Sequence, residues 1–189
     1  SPGGRTLMGE KGIGRLAVSR LGQQMWMFTK KTNTLWNILY INWNIFENPD
    51  LFIQDVEVPV LYGIDENNFA EAIKKLVYTQ KKNLEIELWK SSRYIDQRKI
   101  IKKQIEDVDM DLELVYDFCD IISKTKNQGT VLFVFNLEDD WEQYLDSKVD
   151  VKEDIIAKKN RIRLNSFLSN FGVNEKNFKA EIYLNDEPI

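Results

Sequence analysis

The sequence predicts an α+β domain, because segments with the periodicity of strands lie on both sides of a segment with the periodicity of helices. Near the N-terminus, "QQMWMFTKK" alternates and "TLWNILYINW" is rich in β-formers. The turn residues Lys31, Thr32 and Asn33 lie between these segments and predict a hairpin. Further along, the apolar run "GTVLFVFNL", which begins at Gly129, predicts a central strand buried on both faces.

A glycine-rich loop precedes the hairpin. It leads into "RLAVSRLG", where the apolar spacing predicts a short helix that ends at Gly22 in the left-handed conformation. A glycine-rich loop before a helix offers free backbone N–H groups at the positive end of the helix dipole, which is a suitable site for an anion such as phosphate. The order of the glycines fits neither the P-loop nor the dinucleotide-binding fingerprint.

The next section, from Asp65 to Lys126, is predicted to be mainly helical. It follows "DVEVPVLYG", where Pro59 predicts an edge strand. Asp65 or Asn67 is the predicted N-cap of a helix in "NNFAEAIKKLVYTQ". A heptad-like apolar stripe follows, and we favour two helices packed on the sheet or on each other over a dimer seam. The stripe consists of Ile101, Ile105, Val108, Leu112, Val115, Cys119 and Ile122.

Composition excludes several kinds of site. One cysteine and no histidine exclude an intrachain disulfide, a cysteine-rich zinc cluster and histidine-based catalysis or metal binding. The net charge of −4 does not indicate a nucleic-acid partner, although "KKQ" and "AKKNRIR" form local basic patches that we interpret as solvated helix faces. We interpret Asp139, Asp140 and the acidic run 106–111 as helix caps rather than metal ligands. We expect no membrane span and a cytoplasmic location.

Two motifs resemble those of one protein superfamily. The run "GEKGIGRLA", from Gly9 to Ala17, resembles the second glycine box of the ATPases that include gyrase, heat-shock chaperones, histidine kinases and MutL (GHKL), in particular a bacterial branch that reads G-E-K-G-I-G-R. The run "QGTVLFVFNLEDDW", from Gln128 to Trp141, resembles the later Gly-Thr box of the same superfamily. The two boxes occur in the order expected for the superfamily.

The resemblance implies a Bergerat-type two-layer sandwich of a mixed sheet and helices that binds ATP. The glycine box would wrap the phosphates, and the Gly-Thr pair, Gly129 and Thr130, would lie on the adenine side. It further implies a nucleotide-driven conformational switch and, in the parent protein, a possible homodimer. The residues assigned to phosphate binding by this resemblance are Gly9, Lys11, Gly12, Ile13, Gly14 and Arg15.

The sequence also departs from the superfamily pattern. It has no D-x-G-x-G box, and no helix with the glutamate and the Mg²⁺-binding asparagine precedes Gly9. We therefore assign no catalytic residue and no metal ligand here, and we expect the chain to be an inactive fragment of a larger ATPase, with the Mg²⁺ ligand outside it. The expected domains are an ATPase fragment over 1–172, with a helical insertion at 65–126, and a strand at 173–189. The alternative is a non-catalytic interaction module derived from the same fold.

Overall fold

The computed structural model describes residues 22–125, 127–137, 183–184 and 187–188. Its central feature is a hairpin of strands β1 (Gly22–Lys30) and β2 (Trp36–Asn42), which pair antiparallel with Trp26 opposite Tyr40. Asn33 takes a left-handed conformation (φ 61°) in the connecting turn, as asparagine tolerates better than most residues. The predicted hairpin and its turn are confirmed.

Two further strands complete the sheet. They are β3 (Val60–Ile64) and β4 (Gly129–Leu137), and the strand order is β3-β2-β1-β4. All neighbouring strands in this described sheet are antiparallel, whereas we expected a mixed sheet. The predicted edge position after Pro59 is confirmed, although β3 begins only at Val60 because proline donates no hydrogen bond to a sheet.

The prediction that β4 is a central strand buried on both faces was wrong. In the described sheet β4 lies at an edge, and Leu132 is 46% exposed. One face of β4 packs against the core through Val131, Phe133 and Phe135. An apolar run is compatible with an edge strand as well as with a fully buried strand. In β4 the second face also carries apolar residues, but they are not fully buried.

Gly22 does not end a helix in the left-handed conformation as predicted. It is the first residue of β1, and its φ is not in the left-handed region. A Cβ at Gly22 would lie 2.7 Å from the carbonyl oxygen of Phe135 and 2.8 Å from Cγ1 of Val134. Glycine is therefore required here because β1 and β4 approach closely, not because of backbone conformation.

Three α-helices lie between β3 and β4 in the chain: α1 (Phe69–Asn83), α2 (Ile95–Asp107) and α3 (Leu112–Thr125). Asp65 accepts a hydrogen bond from the backbone N–H of Asn67 and so caps the short 3-10 turn that leads into α1. Asp111 caps α3 by accepting from the backbone N–H groups of Glu113 and Leu114. The predicted role of Asp111 as a helix cap is thereby confirmed.

The helices pack against the face of the sheet that carries Trp26 and Phe28. Trp26 stacks on Tyr40 with ring centroids 4.2 Å apart, and burial raises the pKa of Tyr40. The α+β class with a sheet covered by helices is confirmed. The segment regarded as an insertion supplies this helical layer. The fully buried large side chains are Trp26, Trp36, Trp89, Tyr40, Phe28, Phe69, Ile38, Ile45, Leu76, Leu84, Ile101 and Ile105.

The heptad-like stripe contributes to this core. Ile101, Ile105, Val115 and Cys119 are at most 1% exposed, so they cannot form a seam with a second chain. The sequence "VDMD" separates α2 from α3, and the stripe continues across the break because both helices turn the same apolar face inwards. The preferred prediction of two packed helices is confirmed for this segment.

The chain divides into two compact units, Ser1–Asn136 and Leu137–Ile189. Beyond Leu137, the structure describes only two short strands, β5 (Tyr183–Leu184) and β6 (Glu187–Pro188), which pair antiparallel. Among the described residues, the helices are too short or too polar to cross a lipid bilayer.

Candidate functional site

The predicted site residues fall into two groups. Gly9, Lys11, Gly12, Ile13, Gly14 and Arg15, which were assigned to phosphate binding, lie outside the described residues. Gly129 and Thr130, assigned to the adenine side, are the first two residues of β4. The geometry of the candidate site is therefore built from this end of β4.

Thr130 presents its hydroxyl group at the protein surface. Its Oγ1 atom lies 2.8 Å from Oγ1 of Thr29 in β1, so one hydroxyl donates to the other. The Thr29 hydroxyl also lies 3.2 Å from the carbonyl oxygen of Gly129, to which it donates. A pair of threonines across neighbouring strands stabilises a sheet modestly, and the exposed Thr130 hydroxyl retains capacity for a further partner.

Amide side chains surround this end of the sheet. The Thr32 hydroxyl donates to Oε1 of Gln128 at 3.0 Å, and Nδ2 of Asn127 donates to Oδ1 of Asn33 at 3.2 Å. Asn127 is left-handed (φ 52°), like Asn33. The β1–β2 turn and the α3–β4 connection are thus joined by uncharged hydrogen bonds. Such groups can recognise the polar edge of a neutral ligand, for example a nucleobase, but supply no charge for phosphate.

Gly129 allows α3 to pack closely beneath this site. A Cβ at Gly129 would meet the Ile122 side chain at 3.1 Å. The backbone of Gly129 is not in the left-handed conformation, so the position requires a small residue because of packing. The last turn of α3 therefore packs directly against the first residue of β4.

A polar cluster ties the same turn of α3 to the sheet. Glu66 accepts, on Oε1, hydrogen bonds from the Trp36 indole N–H at 2.9 Å and from the Ser123 hydroxyl at 3.0 Å. Lys30 Nζ donates to Oγ of Ser123 at 3.4 Å and lies 5.3 Å from the centroid of the Trp36 ring. These contacts link β1, β2, the turn before α1 and α3. Sequence reasoning missed this cluster because its members are far apart in the chain.

Burial raises the pKa of the Cys119 thiol from 9.0 to about 12; the nearby carboxylate of Glu66 adds to the rise and Lys30 opposes it. The unfolded thiol ionises at lower pH than the folded one, so its contribution to stability is intact below about pH 9 and is lost as the pH rises towards 12.

The free energy of unfolding should depend on pH through Cys119. Measured in urea between pH 8 and 10.5, the value for wild type should fall above pH 9 by about 1 kcal/mol per pH unit more than the value for Cys119→Ala. Equal slopes for the two proteins would contradict this assignment.

Six amide side chains form a second network near the other end of β1. Gln24 donates to the Gln104 carbonyl oxygen at 3.0 Å and to Oδ1 of Asn136. Asn42 and Asn44 both donate to Oε1 of Gln104, at 3.1 and 3.0 Å. Because its members satisfy one another, this network serves structure rather than ligand binding. It comprises Gln23, Gln24, Asn42, Asn44, Gln104 and Asn136.

The described residues contain no group of three or more acidic or cysteine side chains placed to hold a metal ion. Within the acidic run, Glu106 lies 3.9 Å from Nζ of Lys81 and 4.0 Å from Nζ of Lys102. The implied Mg²⁺ therefore has no fitting ligand set among the described residues. Asp139 and Asp140 lie outside the described residues.

The residues that surround Thr130 were not predicted as site residues. Thr29 and Asn127 gain their positions from the register of β1 with β4, which no local motif encodes. The turn signal at Asn33 was recognised, but its partner across the sheet was not. Compared with protein-family models, curated proteins and solved structures, the chain matches none of them.

Proposed function

We propose that this chain is part of an ATP-binding domain of the GHKL type, which in the full-length protein binds and hydrolyses ATP and acts as a nucleotide-driven conformational switch. In this proposal Gly9 to Arg15 wrap the phosphates, with Lys11 and Arg15 facing their charge. Gly129 and Thr130 lie on the adenine side. Homodimerisation of the full-length protein on ATP binding is part of the same proposal.

The observation that carries the proposal is the placement of the Gly-Thr pair. The pair begins an edge strand of a helix-covered sheet, and the exposed Thr130 hydroxyl pairs with the hydroxyl of Thr29. The side chains that hydrogen-bond around the pair are amides and hydroxyls, which suit adenine better than phosphate, and Lys31 in the β1–β2 turn is an exposed cation nearby. The proposal assigns the phosphates to the glycine box, which carries Lys11 and Arg15.

The alternative, an interaction module that uses the middle helices, has less support. The regular apolar stripe of α2 and α3 lies in the core, which leaves such a module the separate exposed side chains of Ile100, Tyr116 and Ile121 on these helices. We therefore retain ATP binding as the proposed function.

In the full-length protein, we expect Thr130→Ala to weaken binding of a non-hydrolysable ATP analogue about fivefold. The change removes one hydrogen-bonding group, worth about 1 kcal/mol, and leaves the rest of the site in place. Isothermal titration calorimetry measures the affinity, and Thr130→Ser should restore it because the hydroxyl is retained.

The matched control is Thr32→Ala, which removes a second exposed hydroxyl from the same end of the sheet. Its affinity for the analogue should stay within about twofold of wild type, since this hydroxyl already donates to Gln128. If both variants lose the same affinity for the analogue, these amides and hydroxyls only stabilise the fold and do not contact the ligand. A wild-type protein that does not bind the analogue would refute the proposed function.

A further inference from the structure

The outward surface of α1 and the adjoining surface of α2 carry many lysines. On α1 they recur at helical spacing, so they share one face. Lys81 and Lys102 both approach the same carboxylate oxygen of Glu106, which joins the α1 part to the α2 part. We call this surface the lysine face. It comprises Lys74, Lys75, Lys81, Lys82, Lys102 and Lys103.

Positive charge predominates on the lysine face despite the net negative charge of the chain. Its acidic neighbours are Glu71, Glu106, Asp107 and Glu57, which pairs with Lys82. Among the described residues, no carboxylate forms an ion pair with Lys74, Lys75 or Lys103, which are all exposed. The ion pairs of Lys81, Lys82 and Lys102 are solvent-exposed, so they contribute little to stability. Another anion can therefore take the place of the carboxylate.

Tyr78 lies in the middle of the lysine face. It is 69% exposed, and it is one helical turn from Lys74 and Lys75 on one side and from Lys81 and Lys82 on the other. An aromatic ring with this exposure, surrounded by cations, offers a stacking surface next to charges that can neutralise a polyanion. Single-stranded nucleic acid combines these two chemistries, because its unpaired bases stack on aromatic rings and its phosphates bind lysines.

We propose that the lysine face binds single-stranded nucleic acid, with the phosphates on the lysines and a base stacked on Tyr78. This function is separate from ATP binding. An anionic membrane is less suitable, because membrane-binding helices place several large apolar residues beside their cations. Within α1 and α2, which the structure describes in full, Tyr78 and Ile100 are the exposed large hydrophobic residues.

Fluorescence anisotropy with a labelled oligothymidylate of about 20 nucleotides, long enough to cover one binding site, tests this proposal on the whole 189-residue chain. We expect a Kd of about 10⁻⁴ to 10⁻⁶ M that weakens steeply with salt. Lys74→Gln/Lys75→Gln should reduce the slope of log K against log salt by about 0.7 for each phosphate that is no longer neutralised. Tyr78→Ala should weaken binding at least about fivefold without changing that slope, because stacking is not ionic.

Two controls accompany these variants. Lys90→Gln/Lys124→Gln removes the same number of charges from lysines outside the lysine face, each paired with a neighbouring carboxylate, and its Kd should match wild type. Tyr78→Phe keeps the ring and should also match wild type. Thermal melts followed by circular dichroism establish that each variant is folded.

The proposal is overturned if wild type gives no anisotropy change up to about 10⁻⁴ M protein. It is also overturned if the lysine and tyrosine variants bind like the charge control. Binding to phosphatidylserine vesicles without binding to the oligonucleotide would replace it with membrane association. None of these outcomes depends on ATP, so the two proposals succeed or fail separately.

Discussion

Gly22→Ala is expected to lower the free energy of unfolding by about 3 kcal/mol, the largest stability effect of any glycine substitution in the described sheet. The added Cβ would lie 2.7 Å from the Phe135 carbonyl oxygen and 3.1 Å from that of Asn136. Both obstructing atoms belong to the backbone of β4. Relief therefore requires β1 and β4 to separate, which weakens their hydrogen bonds.

Two other glycines provide matched controls. At Gly129 the new Cβ would meet only the Ile122 side chain, at 3.1 Å, and side chains yield more easily than backbone. At Gly63 there is open space but φ is +66°, which costs an L-residue about 1–2 kcal/mol. We expect both alanine variants to be less destabilised than Gly22→Ala.

Chemical denaturation of the three variants measures this ranking, and thermal melts provide a second readout. For a chain of this size, about 3 kcal/mol corresponds to a Tm decrease of about 6–12 °C. If Gly22→Ala were no less stable than Gly129→Ala, the close approach of β1 and β4 would be incorrect.

Gly14→Val is expected to lower ATP turnover by the full-length protein at least about 10²-fold, a magnitude typical of removing one preorganised hydrogen-bond donor from the reacting group. Gly14 lies outside the described residues, and this prediction rests on the proposed phosphate-binding role of the glycine box. A valine side chain would obstruct the backbone where it approaches the ligand.

The thermal melt distinguishes this role from a structural one. With the proposed role, the Tm of Gly14→Val stays near that of wild type while turnover is lost. A large Tm decrease that accompanies the loss of turnover would indicate that the glycine shapes the fold. Full turnover in a stable variant would exclude phosphate binding at this position.

The parts of the fold that sequence analysis predicted correctly depend on local patterns. The hairpin follows from alternation on both sides of the turn at Asn33, and α1 follows from apolar spacing. Asp65, predicted as an N-cap, caps the 3-10 turn before α1 rather than α1 itself. These signals depend on residues within a few positions of one another, so one sequence is sufficient to detect them.

The errors concern partners that are far apart in the chain. Gly22 was interpreted as a helix end because its role depends on Phe135, more than a hundred residues away. The exposure of β4 depends on its position in the sheet, which the apolar run alone does not specify. Within the candidate site, Thr130 was predicted from a motif, whereas its contact with Thr29 required the strand register.

The amide network at the far end of β1 has a consequence for the solution conditions under which β4 stays attached. Asparagine and glutamine do not ionise, and salt screens their hydrogen bonds far less than it screens ion pairs. The end of β4 near Asn136 is thus held by contacts that are indifferent to acidity and ionic strength. Its beginning is held in the same way, because Thr29 bonds to Gly129 and Thr130 and Thr32 bonds to Gln128 through uncharged groups. A change in ionic strength would therefore leave both ends of this strand in register.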